Sequence, residues 1–427
     1  MTQDQLRRPV ARRADPLLRN GHVLTVGSLV TSALGAGYWA LATRWYGDAT
    51  VGRTYAAVSA MMLLSGLGQL GLANVLVRFL PQPGADRRAL VRAGYAAAFG
   101  ATLVASLGFV ALVPLLAPGL GFLYEPATGC CFVATTVAYA LFALQDGALT
   151  GLRRPGLVVA KNSCFALAKI GFVAALAVAL PTIGILLSWT LALLLTLAGV
   201  DGFLFARMLP RRPAPAGTTR STARSIARYA GADYLGTLCW LAATTLPPII
   251  VLESAGPAES AYFSLAWVVA NTLYLISLNM GASLLVEAAG ESAGLASHCR
   301  RVLLHTGALL ALAIAVLVVG APLVLRVFGP DYARNGSTLL QLLALSALPH
   351  LVVTTALSAC RVLGRMRVVV AIQAGLATAV LTLTTVLLPV LGVLGAGVAW
   401  LGAQTGAALA LVAARRVWLP TTLGRSA

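Results

Sequence analysis

From His22 onward the chain is a succession of apolar runs, each about twenty residues long and divided from the next by a short cluster of charged, proline or glycine residues. A helix of that length crosses the roughly 30 Å hydrocarbon core of a bilayer, and a soluble domain has no place for a dozen of them. The pattern reads as an all-α integral membrane chain. Only 10% of the residues are charged, against roughly 25% in a soluble domain, so soluble enzyme classes are excluded.

Cutting the runs at their polar boundaries predicts twelve transmembrane helices, at about 22–44, 51–77, 93–116, 127–151, 157–180, 184–206, 229–252, 260–286, 302–325, 337–360, 368–388 and 393–414. One long polar stretch interrupts them, Met208 to Arg228, with Pro210, Pro213 and Pro215 and, counting Arg207, six basic residues. The expected organisation is a basic tail over 1–21, a six-helix lobe over 22–207, a linker over 208–228, a second six-helix lobe over 229–417 and a tail over 418–427. Arg7-Arg8 and Arg12-Arg13 precede an apolar stretch as in an export signal, but that stretch is long enough to span and many spans follow. Residues 1–21 therefore read as a retained tail.

The chain carries 31 Lys and Arg against 13 Asp and Glu, a formal charge of +18. In a soluble protein this would suggest nucleic acid. Here 26 of the 31 cations fall in the even-numbered gaps and the two tails, Lys161 and Arg207 among them, and four, Arg44, Arg53, Arg326 and Arg334, in the odd-numbered gaps. Lys and Arg are retained on the cytoplasmic side, so the alternation predicts a multi-pass protein of the cytoplasmic membrane with both termini inside. The charge reports topology, and no nucleic-acid partner is called for.

The halves also repeat. At an offset of 208, Tyr124 falls on Tyr332, Arg153 on Arg361, Pro181 on Pro389 and Gly184 on Gly392, and at 207 Tyr55 falls on Tyr262. Because each half has an even number of spans, both enter the membrane from the same side. The expected relation is a parallel pseudo-two-fold repeat about the membrane normal, with a substrate cavity between the lobes.

Three segments carry a family resemblance: Gly66-Leu-Gly-Gln-Leu-Gly-Leu-Ala-Asn-Val-Leu-Val-Arg-Phe-Leu-Pro81, Leu144-Gln-Asp-Gly-Ala-Leu-Thr-Gly-Leu-Arg-Arg154, and Leu388-Pro-Val-Leu-Gly-Val-Leu-Gly-Ala-Gly-Val-Ala-Trp400. With them the chain, from about Gly21 to Arg416, resembles the multidrug/oligosaccharidyl-lipid/polysaccharide (MOP) exporter superfamily, and within it the Wzx-type O-antigen and exopolysaccharide flippases. The resemblance implies a MATE-like fold of two six-helix lobes around a central cavity, and transport by alternating access.

Few ionisable groups lie inside the predicted spans, and the candidates among them are Asp146, Lys169, Asp201 and His350. Each Lys or Asp costs about 2.5–3.5 kcal/mol at the bilayer centre on insertion scales, so each should face a cavity or a partner. Lys169 lies about 18 Å from the start of its helix, while Asp146 and Asp201 lie about 8 Å from the ends of theirs. Two readings of Lys169 stand side by side. It presents a cation to an anionic headgroup such as a lipid diphosphate, or it forms a buried ion pair with Asp146 or Asp201. The repeat positions of Lys169, Asp146 and Asp201 are Ala377, Thr354 and Leu409. That asymmetry favours function over lobe packing.

His350 reads as a proton-responsive or sugar-contacting group, or as a neutral histidine bonded to nearby backbone. Arg78, Asp233 and Glu287, near cytoplasmic helix ends, are gate candidates or solvated interface charges. Trp39, Trp45, Tyr46, Tyr124, Trp189, Trp267 and Trp418 read as interfacial or packing aromatics. The six cysteines show no CxxC pair and read as small buried hydrophobes. Neither a P-loop nor a metal-ligand pattern is present in the sequence, and no cofactor is called for.

The function expected is translocation of a polyprenyl-diphosphate-linked oligosaccharide, or a related amphiphile, from the cytoplasmic to the outer leaflet. The alternatives are an H⁺- or Na⁺-coupled drug or metabolite antiporter, for which Asp146 and Asp201 would serve the coupling ion, and a non-transporting membrane scaffold.

Overall fold

The computed structural model describes residues 16–82, 86–209, 219–288 and 294–419. Among these residues there are helices and no strands. The first half comprises α1 (Pro16–Trp45), α2 (Asp48–Gly68), α3 (Leu72–Phe79), α4 (Arg87–Leu116), α5 (Pro126–Gly151), α6 (Pro155–Leu176) and α7 (Gly184–Phe203). The second comprises α8 (Thr219–Ala255), α9 (Pro257–Ala288), α10 (Leu295–Arg326), α11 (Pro330–Leu345), α12 (Ala347–Val362), α13 (Met366–Leu391) and α14 (Val393–Ala413). Each of the twelve expected segments coincides with a helix or a helix pair. Among the described residues ten helical stretches, α11 and α12 counted together, are long and apolar enough to cross a bilayer, and eleven when α2 and α3 form one span.

Local chemistry sets the boundaries. Proline opens α5, α6, α9 and α11, where its fixed φ suits the first turn and its missing N–H costs nothing. The Asp86 carboxylate caps α4 by accepting from the Ala89 N–H at 2.9 Å. The segment expected as one helix over 51–77 is instead broken: α2 and α3 meet at 50°. Leu70 and Gly71, at φ 53° and 69°, take the left-handed conformation at the break, which ends the hydrogen-bond ladder and turns the chain.

Beyond the break, α3 lies against α5. A Cβ at Gly147 or Gly151 would stand 2.6 Å from the carbonyl oxygen of Ala73 or Leu76, so two missing side chains let the backbones approach. The upper part of this span, α2, packs on α4 and α5 of its own half and also on α8 and α9 of the second half, and α1 also packs on α9. These helices join the halves. An apolar core runs through both, from Tyr38 and Phe132 to Tyr274 and Trp400.

The outer helices present apolar surface outward: Val104 and Leu115 on α4, Leu312 and Val319 on α10 and Val390 on α13 are all exposed. Such a belt fits hydrocarbon, not water. The same environment corrects the cysteine reading. Cys299 and Cys360 are buried, Cys131 and Cys239 intermediate, but Cys130 and Cys164 are exposed. A thiol facing lipid is as well placed as one in the core.

Candidate functional site

Helix α6 turns most of its surface outward, yet Lys161, Phe165, Lys169 and Val173 form a buried stripe at four-residue spacing. Two cations thus share the inward face of one helix. They are held in different ways.

Lys161, read from the sequence as a loop cation, is drawn into the bundle, its side chain 1% exposed. Its ammonium pairs with Asp146 Oδ1 at 2.8 Å, donates to the Phe142 carbonyl oxygen at 2.6 Å and lies 3.4 Å from the centre of the Phe142 ring. Asp146 is 38% exposed in its side chain. One residue earlier on α5, the Gln145 amide donates to Asp201 Oδ1 at 2.8 Å, and the Tyr95 hydroxyl donates to the same oxygen at 2.9 Å. Asp146 and Asp201 therefore gather near one end of the first half, as their positions near the ends of α5 and α7 require. Sequence reasoning missed Lys161, Tyr95 and Gln145.

Lys169 pairs with neither aspartate, and the buried ion-pair reading is corrected. Its ammonium lies 4.0 Å from the Trp189 ring centre, 4.3 Å from that of Tyr38 and 5.2 Å from that of Phe165. The residue is 6% exposed. The Tyr38 hydroxyl is itself engaged by Ser188 Oγ at 2.8 Å and the Ile185 carbonyl at 3.2 Å. A desolvated cation–π contact contributes about 2 kcal/mol, so two or three together offset the about 2.5–3.5 kcal/mol that a lysine costs at the bilayer centre. The rings can hold this charge without an anion. Asp146 is unavailable because Lys161, two turns away on the same stripe, reaches it first.

At the 208-residue offset, His350 stands for Phe142, Gln373 for Phe165 and Ala377 for Lys169. The second half has aromatics without a cation. His350 stacks on Trp240 at 5.4 Å and packs against Tyr274 at 5.0 Å. Its Nε2 meets the Thr354 hydroxyl at 3.3 Å, rather than backbone. His350 Nδ1, the Trp400 indole N–H and both heteroatoms of the Gln404 amide are buried there without hydrogen-bond partners. Trp39, Trp189, Trp267 and Trp418 are buried packing residues, while Trp45 and Tyr124 are exposed close to helix ends.

Arg78, in the last turn of α3, is exposed and Glu287, in the last turn of α9, is half-buried; both have partners. The side chain of Asp233 lies outside the described residues. At the opposite end, polar contacts do join the halves. Glu253 accepts from the Gly119 N–H at 2.9 and 3.0 Å, and the Tyr262 hydroxyl donates to Asp48 at 3.4 Å. Beside them a Cβ on Gly52 would collide with the Pro257 carbonyl oxygen. No group of three or more potential metal ligands occurs among the described residues.

A family model described as Polysaccharide biosynthesis protein matches residues 17–289. No curated protein matches the chain in sequence. Among solved structures, a multidrug resistance MATE family transporter of the MOP superfamily, in an inward-facing conformation, superposes with a TM-score of 0.70 at 13% identity, over 93% of this chain and 96% of that one. The lipid II flippase MurJ in an inward closed conformation gives 0.71 at 12% identity, over 92% and 87%. A MOP superfamily transporter from Pyrococcus furiosus gives 0.62 at 13%, over 95% and 96%. At such identities the likeness is one of fold.

Proposed function

We propose, from the premise that the chain belongs to the polysaccharide biosynthesis protein family whose model it matches over residues 17–289, that it is a flippase for a polyprenyl-diphosphate-linked oligosaccharide. It works by alternating access in the cytoplasmic membrane, with both tails and the 208–228 linker on the cytoplasmic side. The described chain folds as a multi-pass membrane transporter of the MOP type. One solved structure of that fold is, by its name, a lipid II flippase.

The observation that carries the substrate class is Lys169, an ammonium that among the described residues is held by rings alone. With no carboxylate beside it, its field acts on whatever anion approaches the first lobe. A diphosphate headgroup is such an anion. Arg78, Asp233 and Glu287 stand toward the cytoplasmic mouth, where they steer or gate that headgroup. The contacts of Glu253 with Gly119 and of Tyr262 with Asp48 then close the outer mouth.

Coupling to H⁺ or Na⁺ is the second reading. Asp201 supports it, because its recorded hydrogen-bond donors, Tyr95 and Gln145, are neutral. The deciding experiment reconstitutes the protein in vesicles with a fluorescent lipid-linked oligosaccharide and measures its passage between leaflets, in parallel with an amphiphilic drug. Movement of the glycolipid, lost in Lys169→Ala, supports the flippase. Export of the drug alone would establish the antiporter.

A further inference from the structure

A groove of about 540 Å³ runs along the outside of the first half, floored by α5 and walled by α4 and α7. Gly129, Cys130, Val133, Ala134, Val137 and Ala138 form its floor, at the spacing of a single helix face. These are small or β-branched residues, so the floor is a trough. Phe99 and Leu107 on one wall and Leu194 on the other are 48%, 53% and 48% exposed, so the groove opens sideways, away from the core. From Glu125 at its rim to Leu141 at its deep end it follows sixteen residues, about 24 Å of helix. Half of a bilayer with its headgroups is about 20–22 Å deep. The groove is as long as one leaflet.

Its charge is confined to one end. Glu125 is exposed, immediately before the start of α5, and its carboxylate accepts one long hydrogen bond, 3.4 Å, from Thr128. Tyr124, also exposed, shares the rim. We propose that this groove binds one aminophospholipid, an acyl chain lying along α5 and the primary ammonium of the headgroup on Glu125. Lipid tails are as apolar as the trough, so the shaft contributes shape and van der Waals contact, and the carboxylate makes the selection. It repels an anionic headgroup, which separates this site from one for the diphosphate-linked substrate. The proposal stands independently of that substrate.

The test uses the full-length protein in detergent with phosphatidylethanolamine, phosphatidylglycerol or polyprenyl phosphate added, read by native mass spectrometry. Phosphatidylethanolamine is expected to be retained over phosphatidylglycerol by about two- to fivefold, the range of an exposed ion pair. Glu125→Gln removes that preference while keeping a bound lipid. Ala134→Leu fills the trough and removes the lipid; Leu194→Trp does so from the other wall if Ala134→Leu fails to fold. Cys130 gives a second readout: the part of alkylation by an apolar maleimide that Cys130→Ser abolishes slows when phosphatidylethanolamine is added. Equal retention of both phospholipids by the unaltered protein would overturn the proposal. So would unchanged retention in both groove-filling variants, or preference for polyprenyl phosphate.

Discussion

Lys161 and Lys169 lie on the same buried stripe of α6, two turns apart, and among the described residues only Lys161 has a carboxylate, Asp146 at 2.8 Å. The stripe divides the work of one helix face. One lysine is fixed by a counter-charge, and the other keeps its charge for a partner that arrives.

Asp146→Ala is expected to lower stability by stranding the ammonium of Lys161. Breaking a fully buried pair costs about 3–5 kcal/mol; Asp146 is 38% exposed in its side chain, so solvent screening reduces this to about 1–2 kcal/mol. The double variant Lys161→Met, Asp146→Leu removes both charges and should recover most of the loss. Thermal unfolding in detergent reads both, and a double variant no better than Asp146→Ala would contradict the pairing.

Lys169→Ala is expected to reach the membrane at near-normal abundance and to lose export, whereas Lys169→Arg keeps part of it, since a guanidinium also stacks on rings. Adding Asp146→Asn or Asp201→Asn should rescue nothing, because neither carboxylate faces this ammonium. Abundance and export measured together decide; full export by Lys169→Ala refutes the substrate role.

Trp189→Leu removes the ring nearest that ammonium, 4.0 Å away. The loss of one desolvated cation–π contact is expected to cost about 2 kcal/mol while Lys169 is charged. In Lys169→Met the same tryptophan change should cost less, and a thermal double-mutant cycle gives the difference. Equal costs in both backgrounds would show that the ring serves packing alone.

Gly52→Val should disturb transport without touching any charge. The added side chain meets the Pro257 carbonyl, so the two halves can no longer close where α2 meets the α8–α9 junction. Cross-linking of cysteines placed at Asp48 and Tyr262 by a short bismaleimide, fast in the parent and slow with Gly52→Val, checks it.

A diphosphate diester moved outward carries about two negative charges, for which 100 mV supplies about 4–5 kcal/mol. Flipping in proteoliposomes should therefore accelerate with a potential positive on the receiving side. Indifference to that potential would require a compensating cation, and would shift attention to Asp201.

The helices were legible because bilayer thickness imposes one length on every span, and charged, proline or glycine residues close each one. The break at Leu70–Gly71 was marked by the glycines from Gly66 to Gly71, though a run of uniform hydropathy hid it. Lys161 was counted with the Arg153–Arg154 gap because it stands only six residues into α6; its four-residue spacing to Phe165 and Lys169 was the signal that placed it inside. The rings around Lys169 come from α1, α6 and α7. No one-dimensional pattern specifies how three helices cross, so Trp189 reads only as an interfacial or packing aromatic and Tyr38 carries no signal in the sequence.

The broken second span has a mechanical consequence. Its lower piece, α3, is seated backbone to backbone on α5, while its upper piece, α2, bears on α8 and α9. One span is thus geared to both halves of the molecule. Leu70 and Gly71 are the two-residue joint between the piece seated on α5 and the piece that bears on the second half, so a shift of α8 and α9 against α2 reaches the α3–α5 seat through a short length of left-handed backbone.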